Sequence, residues 1–258
     1  MAKKNSAEYW EQRIANTTWE TYNTIEEKNR RILEFYIDAS RQVREELYYI
    51  AEKYSRNGTL SLSDMYKRDR LEKLCRKYES IIKRLGEEVQ SEATENMQDG
   101  FKDVYVATTE FLEAEGISVP NRKLMDKLIN EPWRGDSFSG RIWENQKQLA
   151  VGLNDILLSG FQQGKTVTEI AISLHNYTGN SFNNCHRLIR TETMHYLNSA
   201  VLMGYKDGGV ERVRVWAALD ERTCETCMRY HDKVYLLGKE PILPLHPNCR
   251  CTYLPEVE

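Results

Sequence analysis

The chain has 258 residues, of which 40% are hydrophobic and 29% are charged, and its formal net charge is -3. The apolar share excludes a chain that is disordered throughout, and the charge balance excludes a strongly basic nucleic-acid binder. No run of about 18 apolar residues is present, so we predict no membrane span. The charged start, Met-Ala-Lys-Lys-Asn, lacks the apolar stretch of a secretory signal, so we expect the protein to be made and kept in a cytoplasm.

The first 115 residues have the pattern of two long helices. Apolar residues recur every three or four positions over 32–54 and again over 71–89, which is typical of amphipathic helices. An Asn-Gly turn signal interrupts the pattern at Ser55–Gly58. Because a short turn between two long helices gives antiparallel neighbours, we predict a helical hairpin, suited to docking, over residues 1–115.

Capping boxes, in which a hydroxyl and a carboxylate stand three residues apart, mark three predicted helix starts. They lie at Thr17–Glu20, Ser61–Asp64 and Thr166–Glu169. The last one opens a helix that we predict to run through Leu174, and a further helix is predicted over about 181–205.

Two breaks separate the hairpin from the rest of the chain. Gly116–Asn121 ends the helical pattern, and Glu131–Ser137 has the composition of a loop. A shorter helix is predicted between them, over 122–131. We place a domain boundary near 116–135 and predict that residues 116–258 form the second domain.

The character of the sequence changes after the second domain's helices. Apolar and polar residues alternate over 212–217, as in a half-buried strand, and 234–236 and 252–254 are shorter strand candidates. The predicted fold class is therefore α+β. It consists of a long helical hairpin followed by a mixed domain with helices and a small, β-rich C-terminal unit.

Cysteine and histidine residues cluster at 224–251, within this β-rich unit. Cys224 with Cys227, and His246 with Cys249, form two pairs of equal spacing. In a reducing compartment such pairs favour metal binding or redox chemistry over a disulfide framework. Four such ligands suit a tetrahedral zinc ion and leave no open position for water, so we predict a structural zinc. Cys251 is a fifth candidate, and the fourth ligand could be His246 or Cys251.

Two alternatives to zinc remain open from the sequence. The cysteines could be reduced side chains without a metal, or Cys224 and Cys227 could form a redox Cys-x-x-Cys. A thioredoxin-like redox site expects a strand before the motif and a helix after it, whereas a loop and strands are predicted to follow here.

A second set of polar residues lies close in sequence to the cluster. Arg190, Glu192 and His195 lie on the predicted 181–205 helix, and Asp220 and Arg222 follow the first strand. Such side chains could serve hydrolysis or group transfer. Spacing fixes no nucleophile–base pair, so we predict no catalytic residue and interpret this polar cluster as an ion-pair network between helix and β-rich unit.

Basic residues also gather in the second helix of the hairpin, interrupted by acidic ones. We interpret them as a solvated helix face, with a track for nucleic-acid phosphates as the alternative. They are Lys67, Arg68, Arg70, Lys73, Arg76, Lys77, Lys83 and Arg84.

Residues 135–255 resemble the Mu protein F-like minor head proteins of tailed phages, also called phage head morphogenesis proteins. The motifs that carry the resemblance are Ile189–Glu192, Trp216 on a strand, Asp220–Cys227 and the closing Pro244–Cys251. The closing motif, His-Pro-Asn-Cys-Arg-Cys, is the specific part of the match. The N-terminal half resembles the corresponding part of family members only in its general helical pattern.

The resemblance implies a minor capsid protein, present in few copies in the virion and associated with the portal vertex. It implies the portal protein, other capsid components and phage DNA as partners, a role in head assembly and in DNA packaging or ejection, and no small-molecule substrate. Two other functions remain as alternatives. One is an enzyme, such as a nuclease or an ADP-ribosyl-type transferase that uses the polar cluster, and the other is a DNA-binding module that uses the basic face at 67–84.

Overall fold

The computed structural model describes residues 6–256, and within them the fold is α+β, as predicted. Long helices make up most of it, and a small antiparallel sheet lies near the C-terminus. The helices are α1 (Ala7–Trp10), α2 (Asn16–Lys28), α3 (Arg30–Tyr54), α4 (Leu62–Tyr66), α5 (Arg70–Phe111), α6 (Arg122–Ile129), α7 (Phe138–Gln162), α8 (Val167–Asp207) and α9 (Glu225–Tyr230). A π-helical stretch (Glu11–Ala15) joins α1 to α2, and a 3₁₀ turn (Lys67–Asp69) precedes α5. The strands are β1 (Arg212–Trp216), β2 (Val234–Leu236) and β3 (Thr252–Glu256).

The chain forms two compact units, each assembled from segments that are distant in sequence. The helical unit comprises Arg30–Glu92 and Ser139–His186, and the sheet unit comprises residues 6–29, 93–138 and 187–256. Helices α5 and α8 each contribute one part to the helical unit and the other to the sheet unit. The division at 115/116 that the sequence indicates stays a prediction about domains.

The predicted hairpin is present in the helical unit, where α3 and the first half of α5 run antiparallel. Arg31 pairs with Glu92 at one end of the two helices, at 3.3 Å, and Glu46 pairs with Lys77 further along. The turn between the helices begins at Ser55, as predicted. Asn57 and Gly58 both adopt positive φ, 51° and 76°, which is the conformation that an Asn-Gly turn provides.

Buried side chains of the helical unit follow the predicted helical stripes. Their burial is the main stabilising contribution expected for amphipathic helices. Within this core the Tyr36 hydroxyl accepts a hydrogen bond of 3.0 Å from Gln146 Nε2. The stripe residues that are buried include Ile32, Tyr36, Ala39, Val43 and Leu47 on α3 and Leu74, Tyr78, Leu85 and Val89 on α5.

The sheet unit is built around the strand order β2-β1-β3, with both outer strands antiparallel to β1. Val213 and Val215 are fully buried, which confirms the predicted alternation in β1. The N-terminal helical segment packs against β3, and its Trp10 and Ile14 are buried there. Tyr205 of α8 donates a hydrogen bond of 2.7 Å to the carbonyl oxygen of Tyr253 in β3. Helix α8 and the sheet therefore contribute to one hydrophobic core within the sheet unit.

Two predicted helix boundaries are wrong. The chain is already helical before Thr17, because Ser6 caps α1 by accepting a hydrogen bond from the Tyr9 amide. The capping box at Thr17–Glu20 therefore starts no helix. The break expected after Leu174 is also absent, since α8 runs unbroken from Val167 to Asp207, and the Thr178 hydroxyl donates to the Leu174 carbonyl within it.

The other two capping boxes are confirmed. Ser61 Oγ accepts a hydrogen bond of 3.0 Å from the Asp64 amide at the start of α4. At the start of α8, Thr166 Oγ1 accepts from the Glu169 amide at 3.2 Å, and the Glu169 carboxylate accepts from the Thr166 amide at 2.8 Å. This reciprocal pair satisfies helix amides that have no partner within the helix.

We expect Thr166→Ala to lower the free energy of unfolding by about 1 kcal/mol, because it removes this cap. The hydrogen bonds from Thr166 lower the pKa of Glu169. The contribution of Glu169 is therefore present above its ordinary pKa and is lost as the pH falls through the lowered value. Urea unfolding at neutral and acidic pH measures both effects, and the exposed neighbour Thr168→Ala is the control. If Thr166→Ala lowered the free energy of unfolding by the same amount at both pH values, the reciprocal hydrogen bonding between Thr166 and Glu169 would be contradicted.

Candidate metal centre

The first two sulfur donors lie at the start of α9, which the sequence did not predict. Cys224 is the N-cap residue of this helix, and its Sγ accepts a hydrogen bond of 3.5 Å from the Cys227 amide. Because Cys227 stands one turn further on, both sulfurs lie on the same side of the helix start. A Cys-x-x-Cys at a helix N-terminus is also found in dithiol redox sites, so other neighbours must distinguish the two uses.

The second pair of donors lies in a tight turn that leads into β3. The Cys249 amide donates a hydrogen bond of 3.1 Å to the carbonyl oxygen of His246, which closes the turn. Asn248 adopts a positive φ of 61° within the turn, a conformation that Asn tolerates better than most residues.

The two pairs converge, together with Cys251. Cys224 Sγ is 3.2 Å and Cys227 Sγ is 3.1 Å from His246 Nε2. On the other side, the sulfurs of Cys227 and Cys249 are 3.6 Å apart. Donor atoms lie within 4.8 Å of one another in two groups that share Cys227, one with Cys224 and His246 and the other with Cys249 and Cys251. This Cys/His cluster could hold a metal ion.

The histidine ring is oriented as a metal ligand would be. His246 Nδ1 lies 2.9 Å from the carbonyl oxygen of Pro247. Since a carbonyl oxygen only accepts, Nδ1 carries the hydrogen in this contact, and in a neutral ring the lone pair is on Nε2. That lone pair faces the two sulfurs of Cys224 and Cys227.

Electrostatics within the cluster differ from one thiol to the next. A hydrogen bond from Cys251 lowers the pKa of Cys249 to about 5. The same hydrogen bond raises the pKa of Cys251, with burial adding to it. Burial is also the main cause that raises the pKa of Cys227 to about 12. A cation bound here would favour deprotonation of the coordinating thiols.

Side chains from distant parts of the sheet unit hold the ligand-bearing segment 243–251. Trp19 Nε1 donates to the carbonyl oxygen of Arg250 at 2.9 Å, and Asn198 Nδ2 donates to that of Cys251 at 2.9 Å. His195 Nδ1 lies 2.9 Å from the Leu243 carbonyl oxygen. The sequence showed no signal for Trp19 or Asn198, because each acts through a contact between residues far apart in the chain.

An ion pair joins the ligand-bearing segment 243–251 to the loop that precedes α9. The Arg250 guanidinium, between Cys249 and Cys251 in sequence, pairs with the carboxylate of Asp220. Asp220 also accepts a hydrogen bond of 3.0 Å from the Arg222 amide, and its pKa is lowered, chiefly by the bond from Arg250.

The other polar-cluster residues have different partners. Arg190 Nε lies 2.8 Å from Tyr22 Oη and 2.8 Å from Glu26 Oε2. Glu192 is buried and accepts a hydrogen bond of 2.8 Å from Trp133 Nε1.

His195 stacks on the Trp133 indole ring, with centroids 3.9 Å apart. The exposed Arg222 side chain lies 3.6 Å from Glu221. Glu192 and His195 therefore share Trp133 as a partner, whereas Arg190 and Asp220 pair with Glu26 and Arg250.

Most of the basic face in the helical unit is paired within that unit. Lys67 contacts Asp64, Arg76 contacts Glu72, and Lys83 lies 3.9 Å from Glu87. The Arg70 guanidinium lies 3.7 Å above the Tyr54 ring. These contacts neutralise part of the positive charge and fit the interpretation of a solvated helix face.

Among residues 6–256, no helix is both long and apolar enough to cross a membrane.

Comparison with known proteins finds similarity to phage head proteins and to an ADP-ribosyltransferase. Residues 152–254 match the family Phage Mu protein F like protein. The chain is 22% identical to Minor head protein GP7 of Bacillus phage SPP1 over 213 residues, which cover 78% of this chain and 68% of that protein. It is 25% identical over 162 residues to the NAD(+)--arginine ADP-ribosyltransferase EFV of Enterococcus faecalis (strain ATCC 700802 / V583).

The second match covers 55% of this chain and 33% of the transferase, so the chain spans about a third of that enzyme's length. No solved structure gives a significant match. The matched family region begins in α7 and ends in β3, so it contains every candidate ligand of the metal centre. Residues 152–254 are therefore similar to the Phage Mu protein F-like family, in agreement with the resemblance that the sequence motifs carry.

Proposed function

We propose that this protein acts in phage head morphogenesis as a minor component of the virion head. The observation that carries the proposal is the family match over residues 152–254, extended by similarity to a minor head protein over 78% of the chain. Its place of action would be the phage head, and it would be made in the host cytoplasm during assembly.

The finer part of the proposal is association with the portal vertex and other capsid components, with a role in DNA packaging or ejection. An exposed strip on α3 supports docking to another protein. Leu33 is 41% exposed, Ile37 is 56% exposed, and Tyr48 and Tyr49 follow further along the same helix. Contiguous exposed apolar patches mark protein interaction sites, and aromatic side chains such as Tyr are enriched at them.

Co-expression with the portal protein of the same phage tests the portal association. We expect the two proteins to elute together in size-exclusion chromatography, and Leu33→Glu with Ile37→Glu to weaken the complex. Ile172→Glu, at a comparably exposed position on α8, is the matched control. Separate elution of the wild-type chain and the portal would contradict the association.

The proposed cofactor is one structural zinc ion in the Cys/His cluster. Three observations support it: converging sulfur and imidazole donors, a histidine ring oriented by a backbone carbonyl, and hydrogen bonds that hold the ligand-bearing segment in place. Zinc with four cysteine and histidine ligands has no open position for water, so it braces a fold rather than activating water.

The similarity to the transferase gives a second candidate, ADP-ribosyl transfer. We expect no consumption of NAD(+) when the purified chain is incubated with an arginine derivative, because Arg190 and Asp220 are engaged in ion pairs with Glu26 and Arg250. Turnover that Glu192→Gln abolishes would favour the enzyme instead.

A further inference from the structure

The Cys/His cluster offers five candidate donors for the four positions of a tetrahedral zinc ion. We propose that Cys224, Cys227, His246 and Cys249 bind the ion, and that Cys251 is a buried positioning thiol beside it. This assignment rests on the proposed zinc site.

Three donors, from Cys224, Cys227 and His246, already lie within 4.8 Å of one another. His246 Nε2 lies 3.2 Å from Cys224 Sγ and 3.1 Å from Cys227 Sγ. Zinc bond lengths of about 2.3 Å to sulfur and about 2.0 Å to nitrogen require a sulfur–nitrogen separation of about 3.5 Å. The observed distances come within a few tenths of an ångström of that value. His246 is therefore placed with the first cysteine pair, although it lies far from that pair in sequence.

The fourth ligand must complete the tetrahedron around the ion. Cys249 is better placed for this than Cys251. Its sulfur is 3.6 Å from that of Cys227, against about 3.8 Å for two sulfurs on one tetrahedral zinc. Cys249 also shares a closed turn with His246, just as Cys227 shares one with Cys224. Two turns of the same spacing then supply two ligands each.

The ring orientation of His246 supports its role as a ligand. Metal-binding histidines usually donate their second ring N–H to a carbonyl or carboxylate, which fixes the tautomer. The contact of 2.9 Å between His246 Nδ1 and the Pro247 carbonyl oxygen has this form.

Cys251 has the surroundings of a positioning residue. Cys249 and Cys251 both group with Cys227 and not with Cys224 and His246, so the distinction between them rests on the 3.6 Å contact of Cys249 with Cys227 and on the turn that Cys249 shares with His246. Cys251 is 2% exposed, its sulfur lies within 4.8 Å of those of Cys227 and Cys249, and its carbonyl oxygen accepts a hydrogen bond of 2.9 Å from Asn198. Cys251 therefore packs beside the Cys249 sulfur at the point where the chain enters β3.

X-ray absorption spectroscopy of the zinc-loaded, full-length protein tests the assignment without any substitution. We expect three sulfur neighbours at about 2.3 Å and one nitrogen at about 2.0 Å. Four sulfurs and no nitrogen would overturn the ligand assignment and leave the zinc proposal intact. Absence of zinc from the folded wild-type protein would overturn both.

Paired substitutions give a second readout, the zinc affinity measured by competition with a chromophoric chelator. We expect His246→Ala to lower the affinity by about 100-fold or more, because a ligand is lost. Cys251→Ala should keep one zinc per chain with an affinity loss of about tenfold, the lower end of the range for outer-shell residues. His246→Cys should retain zinc with four sulfur neighbours. The reverse order, with Cys251→Ala losing zinc and His246→Ala retaining it, would overturn the assignment.

Discussion

Cys249→Ser is expected to abolish zinc binding and to lower the free energy of unfolding by about 5 kcal/mol or more. The free energy of binding a structural metal is part of the free energy of folding, because the unfolded chain has no preformed site. Cys249 is buried and joins the 243–251 segment to the start of α9. A melting temperature lower by about 10 °C or more corresponds to such a loss in a protein of this size.

Elemental mass spectrometry and thermal unfolding measure the two effects together. Cys75→Ser is the matched control, because Cys75 is half-buried on α5 in the helical unit, far in sequence from the cluster. A chelator should lower the melting temperature of the wild-type protein and leave that of Cys249→Ser unchanged. A Cys249→Ser variant with full zinc content and unchanged melting temperature would contradict a structural metal site.

Trp133→Ala is expected to destabilise the protein by about 3–5 kcal/mol, as large-to-small substitutions of buried aromatic residues do. Trp133 is 8% exposed, stacks on His195 and donates a hydrogen bond to the buried Glu192. The substitution creates a cavity and also removes a donor from a buried carboxylate, which is a separate cost.

Trp133→Phe separates these two contributions. It keeps most of the ring packing and removes only the N–H donor, so we expect a loss of about 1–3 kcal/mol. Urea unfolding of the three proteins measures the differences. A loss below about 1 kcal/mol for Trp133→Ala would show that the loop before α7 does not anchor to α8 through this residue.

Periodicity predicted the parts of the fold that depend on local patterns. The buried positions of α3, the Asn-Gly turn and the alternation in β1 all follow from residues that are close together in sequence. The same holds for the capping boxes at Ser61 and Thr166, whose hydrogen bonds span three residues.

Features that depend on contacts between distant segments were not predictable in this way. Thr17–Glu20 matches a capping box, but the helix started at Ser6 continues through it. The N-terminal segment packs against β3, and Trp19 bonds to Arg250, across most of the chain length. The spacing of apolar residues along the sequence carries no information about such contacts.

The candidate metal centre was predictable from the sequence only in part. Equal spacing identified the pairs Cys224 with Cys227 and His246 with Cys249, since each pair is local. Their convergence, and the position of Cys251 beside them, depend on how α9 and the 246–249 turn are brought together by the sheet unit. Within the polar cluster, Glu192 and His195 both contact Trp133, whereas Arg190 pairs with Glu26 and Asp220 pairs with Arg250, and each of these partners lies far away in sequence.

The most direct test of the proposed role is absolute quantification of this protein in purified phage heads. Mass spectrometry with isotope-labelled peptides gives its copy number relative to the portal and major capsid proteins. We expect the protein in the heads at a few copies per particle, in a fixed ratio to the portal protein. Its absence from heads, with abundant protein in the soluble fraction of the same lysate, would contradict a role as a minor head protein.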